Sequence, residues 1–389
     1  MANHLKELYS HRSVPELAAS RSLFAFAQAM IAAVWAILFS ESGLSDSKIS
    51  FLKVVIAVTV LSVSLILPRY LEKLDESKIY PLSLMISGLS LIAVAFYKNL
   101  AVVILAFGLA QMLYVVRQST FSILFRDSFR RFNVYTLAQG IIGSMVCTAW
   151  FIGPILSGLI MEDFGPRRVM LFAGLIFVLS SLIASYKAVG HKTKKLKSSP
   201  SPIANVKVFL KIDGIRSAYL IKSGIDAWWT LCFTFIPLIM VEAGYSLYAI
   251  GLFLGLSQLP LIFGEFLSVK QVSKKSFKKI FAASYLSLAV AMGASLMVGF
   301  GNLVLVILVL CSIPLAFLEP ISEIYFYHIT RKDEEELAYP IYMTASTFGE
   351  GFLSFLILPV AGFLGLKFSF LAVALYMLGL SLVSSRLKR

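Results

Sequence analysis

The sequence predicts an all-α membrane protein whose twelve transmembrane helices form two pseudo-symmetric six-helix bundles. Three observations predict it. The 389 residues are 58% hydrophobic and 14% charged, with a mean hydropathy of +0.84, whereas a soluble domain is about 45–50% apolar and about 25% charged. The charges are bunched between apolar runs long enough to span a bilayer, which takes about 20 residues. Strongly polar residues avoid the core of every third run.

In chain order, residues 1–21 are polar and carry no convincing leader cleavage pattern, so span 1 is 22–40. The polar stretch ESGLSDSKIS separates it from span 2, 51–67, and PRYLEKLDESK leads on to span 3, 80–97. Lys98-Asn99 divides that from span 4, 100–125, after which RDSFRRFNV precedes span 5, 135–160. MEDFGPRR precedes span 6, 169–187. The second set is 216–241, 247–268, 279–299, 303–328, 339–363 and 367–385, divided in turn by EAGYS, KQVSKKSFK, FGN, ITRKDEEELA and LGL. Glu265 and Glu350 interrupt spans 8 and 11.

Between spans 6 and 7 lies GHKTKKLKSSPSPIANVKVFLKIDG, a flexible basic tether followed by a short interfacial helix around VKVFLK. The expected domains are therefore 1–189, a cytoplasmic linker 190–214, and 215–389. The halves share a weak pattern. RDSFRRFNVYTLAQG leads into span 5, which ends GPILSG, and TRKDEEELAYPIYMTASTFGEG leads into span 11, which ends LPVAGFLG.

With the N-terminus inside, inner segments carry 27 of the 35 Lys and Arg and outer loops carry 6, while Arg117 and Lys222 lie within spans. That bias predicts cytoplasmic N- and C-termini. Short loops and the lack of an N-x-S/T site suit a multi-pass inner membrane protein. The net charge of +14 is explained by basic loops facing anionic lipid, with no need for nucleic acid.

Spans 3, 6, 9 and 12 hold no strongly polar residue in their cores. Gln28 is in span 1, Gln111 and Arg117 in span 4, Gln139 in span 5, and Lys222 and Asp226 in span 7. Gln258 and Glu265 are in span 8, Glu319 and Glu323 in span 10, and Glu350 in span 11. Polar groups avoid lipid and face a bundle interior or a wet cavity. Every third helix is then peripheral, and the rest surround a polar pathway.

This architecture resembles the major facilitator superfamily of secondary transporters. AWFIGPILSG, residues 149–158, is similar to that family's span-5 signature Gly-x-x-x-Gly-Pro-x-x-Gly-Gly. Gly153, Pro154 and Gly158 match, and Ala149 and Ser157 stand in as small residues. The loop after span 2 departs from the family's Gly-x-Leu-Ala-Asp-Arg-x-Gly-Arg-Lys, with Pro68, Glu72, Lys73 and Asp75 at four of its positions. The loop after span 8 keeps Gly264 but has Ser268 in place of the acid. The resemblance implies a divergent, drug- or metabolite-exporter-like member, in which Gly153, Pro154 and Gly158 form a conformational motif where span 5 seals against the other half and hinges; the competing reading is a plain packing kink.

Intramembrane charge supplies the candidate chemistry. Glu350 and Asp226 lie nearest mid-depth and are the candidates for a coupling proton; for Asp226 the competing reading is an internal pair with Lys222, four residues away on one helical face. Arg117, Glu319 and Glu323 are gate or substrate candidates, with a pair from Arg117 to Glu319 as one possibility and a static bridge as the other. Glu265 and Asp127 read as loop-tethering groups. Gln28, Gln111, Trp35, Tyr114, Trp228 and Trp229 are candidates to pack a solute, aromatics offering apolar area and cation–π contact.

Cys147, Cys232 and Cys311 are isolated, and His4, His11, His191 and His328 lack ligand spacing, so no metal site or cofactor is expected. The absence of GxxxxGK[ST], HExxH and GxSxG gives no sign of an ATP-driven pump or an enzyme. The expectation is a monomeric proton-coupled antiporter that exports small, partly apolar solutes by alternating access. The alternatives are an importer or facilitator of a metabolite and, more remotely, a non-transporting membrane protein.

Overall fold

The computed structural model describes residues 14–71, 75–128, 132–186, 202–272 and 276–387, and among them the regular structure is all helical. The linker through residue 201 and the termini lie outside the described residues. Among the described residues, eleven helices are long and apolar enough to cross a membrane, and Leu247–Ile262 is a shorter apolar stretch at the position of span 8. Span 1 is two helices, Val14–Ile31 and Val34–Glu41. Span 2 is Asp46–Leu71, span 3 Glu76–Phe96, span 4 Leu100–Ser128, span 5 Phe132–Phe164 and span 6 Pro166–Tyr186. Span 7 is Ile215–Thr230 and Ile236–Glu242, joined by a wide π-helical turn at Leu231–Phe235. Span 8 is Leu247–Val272, span 9 Phe277–Val298, and span 10 Asn302–Leu310 with Ser312–Ile329. Spans 11 and 12 are Lys332–Phe363 and Ser369–Ser385.

By contacts the chain forms two compact units, residues 1–38 with 66–199 and residues 39–65 with 200–389. The leading part of span 2 thus belongs to the second unit, whereas the expected boundary counts it with the first half.

In the first unit, packing follows the small residues. A Cβ on Gly88 would stand 2.8 Å from the Gly174 carbonyl oxygen, and one on Gly174 would stand 2.8 Å from that of Gly88, so spans 3 and 6 touch backbone to backbone. Such approaches replace the hydrophobic drive that lipid removes. Serines add polar stitching. Ser180 Oγ donates to the Ser20 carbonyl at 2.8 Å, and Ser181 Oγ donates to the Pro81 carbonyl at 2.6 Å. Span 5 stays helical through Pro154. A Cβ on Gly153 would meet Ala29 Cβ at 2.8 Å and the Phe26 carbonyl oxygen at 3.2 Å. The Gly-Pro pair therefore lets span 5 lie against span 1 of its own unit.

The second unit repeats these relations. Span 9 packs on span 12 as span 3 does on span 6, and span 7 packs on span 11 as span 1 does on span 5. Spans 1 and 7 are the most enclosed. Spans 3, 6, 9 and 12 each expose an apolar stripe at helical spacing, such as Phe172, Leu175, Leu179 and Leu182, or Leu371, Leu375, Leu378 and Leu382. Those stripes suit lipid, as expected for peripheral helices. The leading half of span 2 lies along span 11, where a Cβ on Gly351 would stand 2.7 Å from Ala57 Cβ and one on Gly362 3.4 Å from Ser47 Oγ. The helix expected around VKVFLK is Pro202–Lys211, and its buried Phe209 packs edge-on to Tyr219 at 6.0 Å.

Candidate functional site

Span 7 carries Lys222, Asp226 and Trp229 at helical spacings that place them on one face. Lys222 Nζ lies 3.6 Å from Asp226 Oδ2, and both side chains are mostly buried. The same ammonium also feels Glu319, Glu323 and Tyr342 electrostatically. One turn on, Trp229 Nε1 donates to Glu319 Oε1 at 2.6 Å. Three expected site acids, from spans 7 and 10, thus act on one lysine.

Span 11 adds Glu350. Its carboxyl interacts attractively with Lys53 and repulsively with Asp226. Neighbouring Gly349 admits span 7 closely, since a Cβ there would stand 2.0 Å from the Ser223 carbonyl oxygen. Lys53 Nζ donates to Thr234 Oγ1 at 2.6 Å, within the π-helical turn of span 7. Such turns make room for an extra residue inside a helix and recur at functional sites.

The result is a chain of charges running Lys222, Asp226, Glu350 and Lys53. Both ends are positive, and the two carboxyls repel each other electrostatically. In an environment poor in water, adjacent carboxylates are stabilised by a cation or by a proton on one of them. Chemically, the arrangement can take up a proton or hold a polar or cationic group of a solute.

Lys53 was not among the sequence candidates, because counting loop charges treats it as an outer-loop residue. The available signal was its place inside the apolar run FLKVVIAVTV.

The first-unit candidates are arranged differently. Arg117 is fully buried, bonded to Ser87 Oγ and to the Ala110 carbonyl at 3.4 Å. Its guanidinium lies over the Phe24 and Phe177 rings at 5.0 and 5.2 Å. Its partners thus come from spans 1, 3, 4 and 6 of one unit, and two of those helices carry lipid-facing stripes. Trp35 is buried against Phe107 at 5.1 Å. Tyr114 OH accepts from Gln118 Nε2 at 2.7 Å. Gln111 is half-buried, and Gln28 Oε1 is buried without a hydrogen bond. Trp228 is wholly enclosed and belongs to the core of the second unit. Pro154 and Gly158 are buried with Gly153. The side chains of Asp127, Gln139 and Glu265 lie outside the described residues. Among the described residues no group of His, Cys, Asp and Glu could hold a metal ion.

A family model described as Major Facilitator Superfamily matches residues 17–354. Among solved structures, a single-substitution mutant of the nucleoside transporter NupG aligns with a TM-score of 0.76 at 13% identity, covering 96% of this chain and 99% of that one. NupG itself aligns at 0.73 and 12%, covering 97% and 100%. A D-xylose-proton symporter aligns at 0.69 and 12%, covering 96% of each chain. At these identities the likeness is one of fold. No curated protein sequence matches this one.

Proposed function

This chain belongs to the Major Facilitator Superfamily, and on that premise we propose that it is a proton-coupled secondary transporter of a small, partly apolar solute, working by alternating access. The observation that carries the reading is that Glu350 interacts with both Lys53 and Asp226 and adjoins the close approach of Gly349 to span 7. A carboxyl so placed exchanges one partner for another. When Lys53 withdraws, a proton on Glu350 replaces its charge. Asp226, Lys222 and the Trp229–Glu319 pair then offer hydrogen bonds and charge to the solute. Arg117 serves the first unit's core.

Uptake together with the proton is the leading direction, supported by the fold likeness to a proton symporter and a nucleoside transporter. Export in exchange for protons is the second reading, supported by Gly153, Pro154 and Gly158. Both place the termini in the cytoplasm and need only a monomer.

The test uses proteoliposomes with an imposed pH gradient and a dye reporting lumenal pH. Nucleosides, pentoses, amino acids, organic acids and lipophilic cations are added in turn. Solute-dependent lumenal acidification under an outside-acid gradient means symport. Alkalinisation under an inside-acid gradient means antiport. Either signal is expected to vanish in Glu350→Gln while tracer exchange of solute persists. A solute that equilibrates without moving protons would refute coupling.

A further inference from the structure

The leading half of span 2 meets span 7 in antiparallel register at two heights. Near the helix ends, the carboxyl groups of Asp46 and Glu242 meet side chain to side chain within hydrogen-bonding reach. About two turns further along span 2, Lys53 donates to Thr234. Span 11 lines the adjoining side of span 2 through the Ser47–Gly362 and Ala57–Gly351 approaches, which bring no charge.

Ionised carboxylates only accept hydrogen bonds, so the acid–acid contact requires that one of the pair hold a proton. Asp46 is half-buried and Glu242 exposed, which leaves the pair open to protons from solvent. Among the described residues, each carboxyl is the only titratable group acting on the other. Lys48, on the same turn of span 2, is exposed.

We infer that Asp46 and Glu242 form a proton-operated latch, in which one shared proton holds the leading half of span 2 on span 7. Loss of that proton leaves two like charges in contact, and their repulsion parts the helix ends. Lys53 and the small-residue seam with span 11 then hold the segment alone. On the transporter reading, this opens or closes one mouth of the solute path. The latch is distinct from Glu350, which lies deeper.

The test places spin labels at Lys48→Cys and Ala243→Cys, two exposed positions beside the pair, in the full chain in lipid nanodiscs. The label-to-label distance is read between about pH 5 and about pH 8.5, a range chosen to bracket a coupled carboxyl pair. The expected result is a reversible shift to longer distance as pH rises. Asp46→Asn, whose carboxamide donates to Glu242 without a borrowed proton, should hold the short distance throughout. Glu242→Gln, at an exposed site, provides an independent variant with the same expectation. A distance that ignores pH in the parent, or a pH shift that persists unchanged in both variants, overturns the latch. No solute is needed. A flat distance alongside intact proton-coupled transport sinks the latch alone, whereas a pH-dependent distance without any transport supports it and sinks the transporter reading.

Discussion

Replacing Gly349 by alanine tests how far transport depends on the contact between spans 7 and 11. A Cβ at this position would lie 2.0 Å from the Ser223 carbonyl oxygen, 2.8 Å from its carbon and 3.0 Å from its Cα. These are backbone atoms, so no rotamer change relieves the overlap. Moving the oxygen from 2.0 Å to the 3.4 Å where ordinary contact begins parts the helices by roughly 1.4 Å. Overpacking of this kind costs about 1–3 kcal/mol. Gly349 adjoins Glu350, and Ser223 lies one turn from Asp226, so the displacement falls on the two interacting carboxyls. A misplacement of about 1 Å in a working site lowers its rate by about 100-fold, and that is the loss expected in solute-driven proton flux. Gly293→Ala and Gly379→Ala are the controls, since a Cβ at either meets nothing within 4 Å. They should be neutral, or more stable by up to about 1 kcal/mol, because alanine is the better helix former. Melting in detergent and flux in proteoliposomes are read for all three. If Gly349→Ala matches Gly379→Ala in both, the close approach has no part in transport.

Lys222→Met should destabilise by about 3–5 kcal/mol because it strands a buried carboxylate; adding Asp226→Leu should restore most of the stability but no flux, as thermal unfolding and transport together will show. Trp229→Phe keeps the ring but removes the donor to Glu319, a hydrogen bond to a charged group worth about 1.5–3 kcal/mol. It should weaken solute binding by at least about tenfold at that magnitude, measured by isothermal titration, and unchanged affinity would remove Trp229 from the site. Arg117→Lys loses the flat stacking on Phe24 and Phe177, and should lower stability by about 0.5–2 kcal/mol with solute affinity unchanged. A stable Arg117→Lys protein that no longer binds solute would return Arg117 to the pathway.

The spans were legible because lipid demands long apolar runs, and a run of that length reads the same whatever surrounds it. Their polar content also sorted spans 3, 6, 9 and 12 from the rest, in agreement with their exposed stripes. Side-chain direction was not legible. Arg117 and Glu319 occupy corresponding spans, which suggested a pair, yet Arg117 turns into the core of its own unit among spans 1, 3 and 6. Trp228 and Trp229 are adjacent in sequence, but one is enclosed and the other bonds to Glu319. Lys53, Asp46 and Glu242 read as loop-edge charges, and only the packing of the leading half of span 2 brings them to partners. A contact between residues nearly two hundred positions apart leaves no periodicity to find.

The wide turn at Leu231–Phe235 has a consequence for sequence change. Asp226 and Thr234 are eight residues apart, whereas an α-helix returns to the same side every seven. An uninterrupted helix would swing Thr234 about 80° past that side. By absorbing a surplus residue, the turn brings Thr234 back toward the azimuth of Asp226, where Lys53 reaches it. Removing one residue within 231–235 would therefore regularise the backbone while leaving both flanking faces in phase. The same deletion a few positions earlier in span 7 would rotate everything beyond it. In span 7, tolerance to a lost residue should be confined to this one turn.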